Sequence, residues 1–259
     1  MELVHARVIG EGPDLIILHG YFGMGDNWKT LANQFSSYFK VHLIDQRNHG
    51  RSFHSDDFDY ELMTEDLLNY MDFNKIVTAD IIGHSMGGKT AMNFAVNYEQ
   101  RVKSLIVADI GPKNYPPHHE LILKALNSVD FAEQSSRSEI EDVLKKQIHE
   151  SGVRQFLMKN VYRVTKDELG FRCNVDALTQ HNNEIGAPLE PFTEYLGPTL
   201  FLKGENSGYI STDDLPLIEA HFPNYELVEI PRAGHWLHAE NPKDFLKACY
   251  LFWRINQIS

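Results

Sequence analysis

The sequence predicts an α/β fold with a mostly parallel central sheet, helices on both faces and an inserted helical cap. Short apolar runs alternate with longer helical patterns, which is typical of a doubly wound sheet. The alternation stops after Asp109 and resumes at Thr199, and the stretch between them is helical in pattern. A chain of 259 residues is long enough for one domain with its own hydrophobic core.

The first half of the chain supplies four short, mostly apolar runs. They are Leu15–Leu18, Val41–Ile44, Ala79–Ile82 and Leu105–Ala108. Runs of this length and character predict buried parallel strands. Between the second and third run, Met63, Leu67, Tyr70 and Met71 share one face of a predicted helix over residues 60–73. Parallel strands joined by helices need right-handed crossovers, so helices are expected on both faces of the sheet.

The second half begins with the predicted cap and ends with two further strands. Helical patterns occupy His119–Val129, Ser138–Glu150 and Val153–Val161, with no convincing buried strand among them. Strands are predicted at Thr199–Leu202 and Tyr225–Val228, and a closing helix from about Pro242 to Ile255. This organisation divides the chain into a core of residues 1–112 and 192–259 and a cap of residues 113–191.

Charge and cysteine content exclude several classes of protein. Lys and Arg total 24 against 36 Asp and Glu, so the formal charge of −12 repels a nucleic acid. Cys173 and Cys249 form no disulfide or metal framework, which suits a reducing compartment. The sequence shows neither a signal peptide nor the roughly 20 apolar residues that cross a bilayer. We therefore expect a soluble cytoplasmic protein without a membrane span.

A nucleophilic serine is predicted at Ser85, between Gly83 and Gly87. The two glycines permit the tight bend that lifts a serine out of a strand and into a helix. The predicted strand runs directly into this motif, and a helical pattern over residues 90–98 follows it. The alternative is that Ser85 only caps the helix that begins at Met86, since serine is a favoured N-cap residue.

Two backbone amides are candidates for an oxyanion hole. The amide of Met86 lies at the start of the helix after the nucleophile, where it has no partner within the helix. The second donor is expected from the loop after the first apolar run, where Tyr21 is the candidate and Phe22 a second possibility. A glycine-rich turn without a catalytic role is the alternative for this loop.

The general base is predicted to be His235. It lies just past the last predicted strand, in the run Ala233–Trp236, and before the closing helix, which lets its imidazole reach back over Ser85. His118 and His119 are adjacent, but neighbouring side chains diverge and no third ligand has matching spacing. We therefore expect neither a metal site nor a cofactor.

The acid that orients His235 has several candidates. Asp109 is preferred because it ends the strand beside the nucleophile strand, at the edge of the sheet where active-site crevices lie. The loop that most often carries this acid contains Glu205 instead of an aspartate. The remaining candidates are Asp176, which would have to reach down from the cap, and Asp213 or Asp214.

With these residues in place, the chain resembles the α/β-hydrolase superfamily, and most closely the small bacterial esterases related to a mitochondrial abhydrolase-domain protein. The similar segments are residues 19–23 with 27–28, 45–52, 83–89, 108–110 and 233–238. The resemblance implies hydrolysis of short acyl esters and of acyl-CoA thioesters without a cofactor. Its bacterial members imply Asp109 as the acid, whereas its mitochondrial members point to Asp176.

The predicted activity is that of a serine carboxylesterase acting on short-to-medium acyl esters or thioesters through Ser85, His235 and Asp109. The hydroxyl of Ser85 would attack the carbonyl, and an acyl-enzyme would then be hydrolysed. Two alternatives remain open. The same triad serves carbon–carbon bond hydrolysis or perhydrolysis in related folds, and some members of a fold keep only a binding function.

Overall fold

The computed structural model describes residues 2–254 of the chain. Its strands are β1 (Ala6–Ile9), β2 (Asp14–Leu18), β3 (Lys40–Ile44), β4 (Ala79–His84), β5 (Val102–Ala108), β6 (Val161–Arg163), β7 (Leu169–Phe171), β8 (Thr199–Gly204) and β9 (Tyr225–Ile230). Its helices are α1 (Lys29–Phe35), α2 (Tyr60–Phe73), α3 (Met86–Asn97), α4 (Glu120–Asn127), α5 (Arg137–Lys145), α6 (Ser151–Met158), α7 (Val175–Gln180), α8 (Leu215–His221), α9 (Leu237–Glu240) and α10 (Pro242–Phe252). Within this part of the chain, no helix combines the length and the apolar character that crossing a membrane requires.

Seven strands form the main sheet, in the order β1-β3-β2-β4-β5-β8-β9. Every neighbouring pair is parallel except β1 and β3, which run antiparallel. The predicted mostly parallel sheet is therefore confirmed. The strand β4, which leads to Ser85, lies at the middle of the sheet, so its carboxyl end opens where the flanking strands also end.

Apolar side chains on the two faces of the sheet form separate buried clusters. On one face, Leu15 and Ile17 pack with side chains of α1 and α10. On the other face, Ile16 and Leu18 pack with α2, α3 and α8. Neighbouring strand residues point to opposite faces, and burying a side chain of this size contributes roughly 1.5–3 kcal/mol. Helices on both faces thus explain why these strands are apolar throughout.

Several short elements were missed by the sequence analysis. The edge strand β1 has two exposed residues between two half-buried ones, and it has no buried apolar run. A hairpin of β6 and β7 stands in the stretch predicted to be helical, and its three-residue strands are too short to show a period. The closing helix ends at Phe252, and its predicted end at Ile255 lies outside the described residues. The predicted boundaries of the cap, at residues 113 and 191, stay a prediction.

The helical stretch between β5 and β8 is tied to the core by a buried lysine. Lys89, in α3, is fully buried, and its Nζ donates to the carbonyl oxygens of Lys113 at 2.5 Å and Ala187 at 2.8 Å. These carbonyls lie at the two ends of the stretch, so a single ammonium group holds both. Burial lowers the pKa of Lys89 to about 7, with the nearby charge of Lys113 as a second cause.

Candidate active site

Ser85 occupies a strained turn between β4 and α3, with φ of 51° and ψ of −117°. Few residues with a side chain adopt such a positive φ, and strain of this kind collects at functional sites. A Cβ at Gly83 would lie 2.2 Å from the carbonyl oxygen of Gly87, and one at Gly87 would lie 2.4 Å from that of Leu18. Glycine is therefore required on both sides, as the sequence motif predicts.

The structure brings together the three residues predicted to form the triad. The Nε2 atom of His235 lies 2.9 Å from the Oγ of Ser85. Its Nδ1 atom lies 2.8 Å from the Oδ2 of Asp109. The Asp109 side chain is completely buried, whereas 24% of the His235 side chain is exposed. With Nδ1 as the donor to Asp109, the Nε2 atom is left to accept the proton of Ser85.

Two further groups fix the carboxylate of Asp109. The amide of Gly204, at the end of β8, donates to Oδ1 at 2.9 Å. The hydroxyl of Ser207 donates to Oδ2, the same oxygen that faces His235. The sequence analysis missed Ser207 as a functional residue, although it named the loop that contains it. Together these donors fix the carboxylate that accepts from the imidazole.

The other carboxylates named from the sequence have different surroundings. Asp176 is exposed in the first turn of α7. Asp214 pairs with the Nζ of Lys113 at 2.7 Å, and its neighbour Asp213 is exposed. Glu205 accepts a hydrogen bond from the amide of Arg232 at 2.6 Å. Within residues 2–254, the carboxylate at hydrogen-bond distance from the His235 imidazole is that of Asp109.

Both predicted amide donors lie beside Ser85. Met86 is the first residue of α3, so its amide has no acceptor within the helix. Tyr21 lines the same cavity as Ser85, and no acceptor lies at hydrogen-bond distance from its amide among the described residues. The amide of Phe22 instead donates to the Nε2 of His49 at 3.2 Å. The geometry therefore favours Tyr21 over Phe22 as the second donor.

Two buried histidines brace the loop that carries Tyr21. His19 accepts a hydrogen bond from the amide of Gln46 at its Nε2, 3.0 Å away, so its Nδ1 is the donor to the carbonyl of Gly20. His49 likewise accepts at Nε2, and its Nδ1 donates to the carbonyl of Arg47 at 2.9 Å. Both rings must stay neutral to accept these bonds, which links the shape of the loop to their protonation.

A tyrosine missed by the sequence analysis covers one face of His235. The ring of Tyr209 stacks on the imidazole, with 3.9 Å between ring centroids and 15° between planes. Its hydroxyl lies 2.5 Å from the Nε2 of His118. Because Tyr209 follows Ser207 by two residues, a single loop contacts both the acid and the base. In the sequence, the only sign of a role for Tyr209 is that its loop lies where the triad acid is usually found.

Ser85 and His235 line a cavity of about 300 Å³, which is the larger of the two cavities that Ser85 borders and is here called the larger cavity. Its walls are mainly apolar and include Trp28, Phe156 and Trp236. His238 also lines it, stacked on Trp28 with 4.1 Å between ring centroids. The Nδ1 atom of His238 is buried without a hydrogen-bond partner among the described residues. An apolar cavity with a few polar groups at one end is typical of a small-molecule site.

Burial keeps the histidines around this site neutral. It lowers the pKa of His19 to about 4 and those of His49 and His238 to about 3, because a charged ring loses its hydration there. The charges of His235 and Lys159 further lower the pKa of His238. These rings therefore act as neutral hydrogen-bonding and packing groups at ordinary pH.

We expect acid to destabilise the fold through these rings. Above pH about 6.5, His19, His49 and His238 are neutral in the folded and the unfolded chain. As the pH falls below that value, only the unfolded chain binds protons, so each ring costs about 1.4 kcal/mol of stability per pH unit until its folded pKa is reached. Urea unfolding at pH 7.5, 6.5 and 5.5 measures this slope.

A pair of variants assigns the slope to buried rings. His238→Phe keeps an aromatic group on Trp28 and removes one titrating ring, whose buried Nδ1 has no hydrogen-bond partner among the described residues. The slope of the unfolding free energy against pH should therefore fall by the contribution of one proton. Asn97→Ala changes an exposed residue without a titrating ring and should leave the slope unchanged. Equal slopes in the two variants would contradict the explanation.

Comparison with known proteins places the chain in a family. A sequence model of the alpha/beta hydrolase fold family matches residues 13–143. The chain belongs to the α/β-hydrolase fold family. This hydrolase is 38% identical to the sn-1-specific diacylglycerol lipase ABHD11 of Danio rerio, over 94% of this chain and 79% of the relative. It is 33% identical to Esterase YbfF of Escherichia coli, over 90% of each chain.

A solved structure extends the likeness to three dimensions. The hydrolase superposes on a marine microorganism esterase with a TM-score of 0.94 and a sequence identity of 44%. The superposition covers 97% of this chain and 100% of the esterase chain. The resemblance to bacterial esterases and abhydrolase-domain proteins is therefore confirmed. These relatives place the chain among the esterase-like and lipase-like α/β hydrolases.

Proposed function

We propose that the chain is a serine carboxylesterase whose triad is Ser85, His235 and Asp109. The observation that carries the proposal is the continuous hydrogen-bonded line from the Ser85 hydroxyl through the imidazole to a fully buried carboxylate. A nucleophile, a base and an orienting acid in this order match the geometry of acyl transfer. The names of the esterase and lipase relatives agree with this chemistry.

Each residue has a defined role in the proposed mechanism. His235 removes the hydroxyl proton as Ser85 attacks the ester carbonyl. The amides of Tyr21 and Met86 hold the oxyanion that forms, and such donors are worth roughly 10²–10³ in rate apiece. His235 then gives its proton to the departing alcohol, and water attacks the acyl-enzyme by the same steps. Asp109 orients the imidazole and stabilises its cation throughout.

The substrates that we propose are short-to-medium acyl esters. The mainly apolar walls of the larger cavity favour an uncharged organic group beside Ser85. Residues 113–191 would act as the cap, since Phe156 of α6 forms part of that wall. A diacylglycerol, the substrate class in the name of the Danio rerio relative, is likewise an uncharged ester.

A fluorophosphonate probe tests the nucleophile on the intact protein. The probe phosphonylates an activated serine, so it should label this hydrolase, and peptide mapping should place the adduct on Ser85. The labelled protein should no longer hydrolyse p-nitrophenyl acetate. A catalytically silent fold would remain unlabelled, and a label on another serine would contradict the assignment.

Acyl-CoA thioesters are the second substrate class that we propose, on the basis of one unpaired cation. Lys159 is exposed on the rim of the larger cavity, and it has no ion-pair partner among residues 2–254. Glu240, on the same rim, accepts from the amide of Gly234 at 2.7 Å. A free ammonium at the mouth is suited to a phosphate of the CoA group.

Lys159→Met should therefore raise KM for acetyl-CoA several-fold while leaving KM for p-nitrophenyl acetate unchanged. The substitution keeps an unbranched side chain of similar length and removes its charge. The measurement is a pair of initial-rate curves at low ionic strength, where exposed charges act over the longest distance. The control is Lys166→Met, a change away from this cavity in the β6–β7 turn. Parallel changes in both KM values of Lys159→Met would remove the support for thioesters.

A further inference from the structure

Ser85 borders a second cavity besides the larger one. This smaller cavity measures about 10 Å³, and its walls include Tyr60, Met86, Ile110 and Ile185. Tyr60, Ile110 and Ile185 are buried, with exposures of 6%, 4% and 9%. A volume of this size holds one water-sized group. The attacking oxygen thus lies between two compartments of very different size.

His119 separates the two compartments. It lines both cavities, and its ring meets the rings of Tyr21 and Phe22 at centroid distances of 5.0 Å and 5.8 Å. These contacts hold the wall against the loop that supplies the Tyr21 amide. A substrate whose carbonyl lies at Ser85 can therefore place one part on each side of His119.

The chemistry of ester cleavage decides which part goes where. Two groups diverge from the carbonyl carbon, namely the acyl chain and the alcohol oxygen with its substituent. The alcohol oxygen must take a proton from the Nε2 of His235 as it leaves, so the alcohol lies on the side of the imidazole. His235 and its neighbour Trp236 line the larger cavity, and neither lines the smaller one.

We infer that the smaller cavity is the acyl subsite and that the preferred substrates are acetyl esters, with the alcohol part in the larger cavity. The inference rests on the proposed function and narrows it. The methyl group of an acetyl ester matches the volume, and the side chains of Ile110 and Ile185 offer it apolar contacts. Longer acyl chains would have to displace buried side chains, which costs heavily in a packed interior.

The wild-type enzyme gives the first measurement. Across p-nitrophenyl acetate, butyrate and octanoate, kcat/KM should fall at least tenfold from acetate to butyrate and again to octanoate, since a single methylene in a tight pocket changes discrimination by about tenfold or more. A preference for octanoate by a protein that the fluorophosphonate probe labels at Ser85 would overturn the acyl assignment alone. No hydrolysis and no labelling would instead overturn the proposed esterase.

A matched pair of variants tests the wall. Ile185→Ala removes the side chain at the smaller cavity, while the backbone of Ile185 keeps its hydrogen bond from the Tyr60 hydroxyl at 2.8 Å. The butyrate-to-acetate ratio of kcat/KM should rise about tenfold. Ile122→Ala enlarges only the larger cavity, so that ratio should stay constant while the preference among ethyl, butyl and benzyl acetate changes.

A more conservative variant covers the case in which Ile185→Ala does not fold. Ile185→Val removes one methyl group and should raise the same ratio by a smaller factor in a protein that stays folded, since a buried change of this size destabilises far less than Ile185→Ala. If the ratio rises in Ile122→Ala and stays constant in both Ile185 variants, the acyl chain occupies the larger cavity and the inference is wrong.

Discussion

Ser85→Ala is expected to lower kcat for p-nitrophenyl acetate by about 10⁶-fold and to abolish fluorophosphonate labelling. Alanine removes the Oγ that faces the His235 imidazole at 2.9 Å and keeps the Cβ, so the turn itself remains. The oxyanion amides and the larger cavity also remain. Residual turnover from these groups should exceed the uncatalysed rate by roughly 10³–10⁴. Initial rates at high protein concentration measure the difference.

The control for this loss is a serine away from the site. Ser37→Ala changes an exposed residue after α1 and should keep full activity and labelling. Both variants should unfold at the same urea concentration as the wild type, which separates loss of the nucleophile from loss of the fold. If Ser85→Ala retained wild-type turnover, the nucleophile and the whole proposed mechanism would be wrong.

The turn at Ser85 was predictable because its requirements are local. A serine in a strained turn needs glycines two residues before and after it, and these are visible in any sequence. The apolar run of β4 and the helical pattern of α3 lie directly beside the motif. His235 was predictable for a similar reason, since it follows the last strand of a recognisable alternation. In each case the neighbouring residues along the chain carry the information.

The supporting contacts were not predictable because they join distant parts of the chain. Ser207 and Asp109 are separated by 98 positions, and nothing near either residue marks the pairing. Tyr209 covers His235 only because one loop after β8 folds against another after β9. The position of His119 beside both cavities likewise depends on how the stretch between β5 and β8 packs near Ser85. Sequence patterns report periodicity and turns, and such contacts produce neither.

The acid assignment separates the two readings of the resemblance. The bacterial esterases imply Asp109, the mitochondrial relatives imply Asp176, and the structure places only the former carboxylate against His235. Asp176 is exposed in α7, so it would reach the imidazole only after a rearrangement of the stretch between β5 and β8. Substituting each aspartate by asparagine therefore gives a direct comparison at nearly constant shape.

Asp109→Asn is expected to lower kcat by about 10⁴-fold, because an amide favours the wrong tautomer of His235 and leaves its cation without a counter-charge. Asp176→Asn should change kcat less than twofold. Fluorophosphonate labelling should slow in parallel with kcat in Asp109→Asn, since the same imidazole activates Ser85 toward the probe. The carboxylate of Asp109 also accepts from the Gly204 amide at 2.9 Å, so urea unfolding must accompany the kinetics. A folded Asp109→Asn enzyme with normal turnover, beside an inactive Asp176→Asn, would transfer the role of acid to the cap.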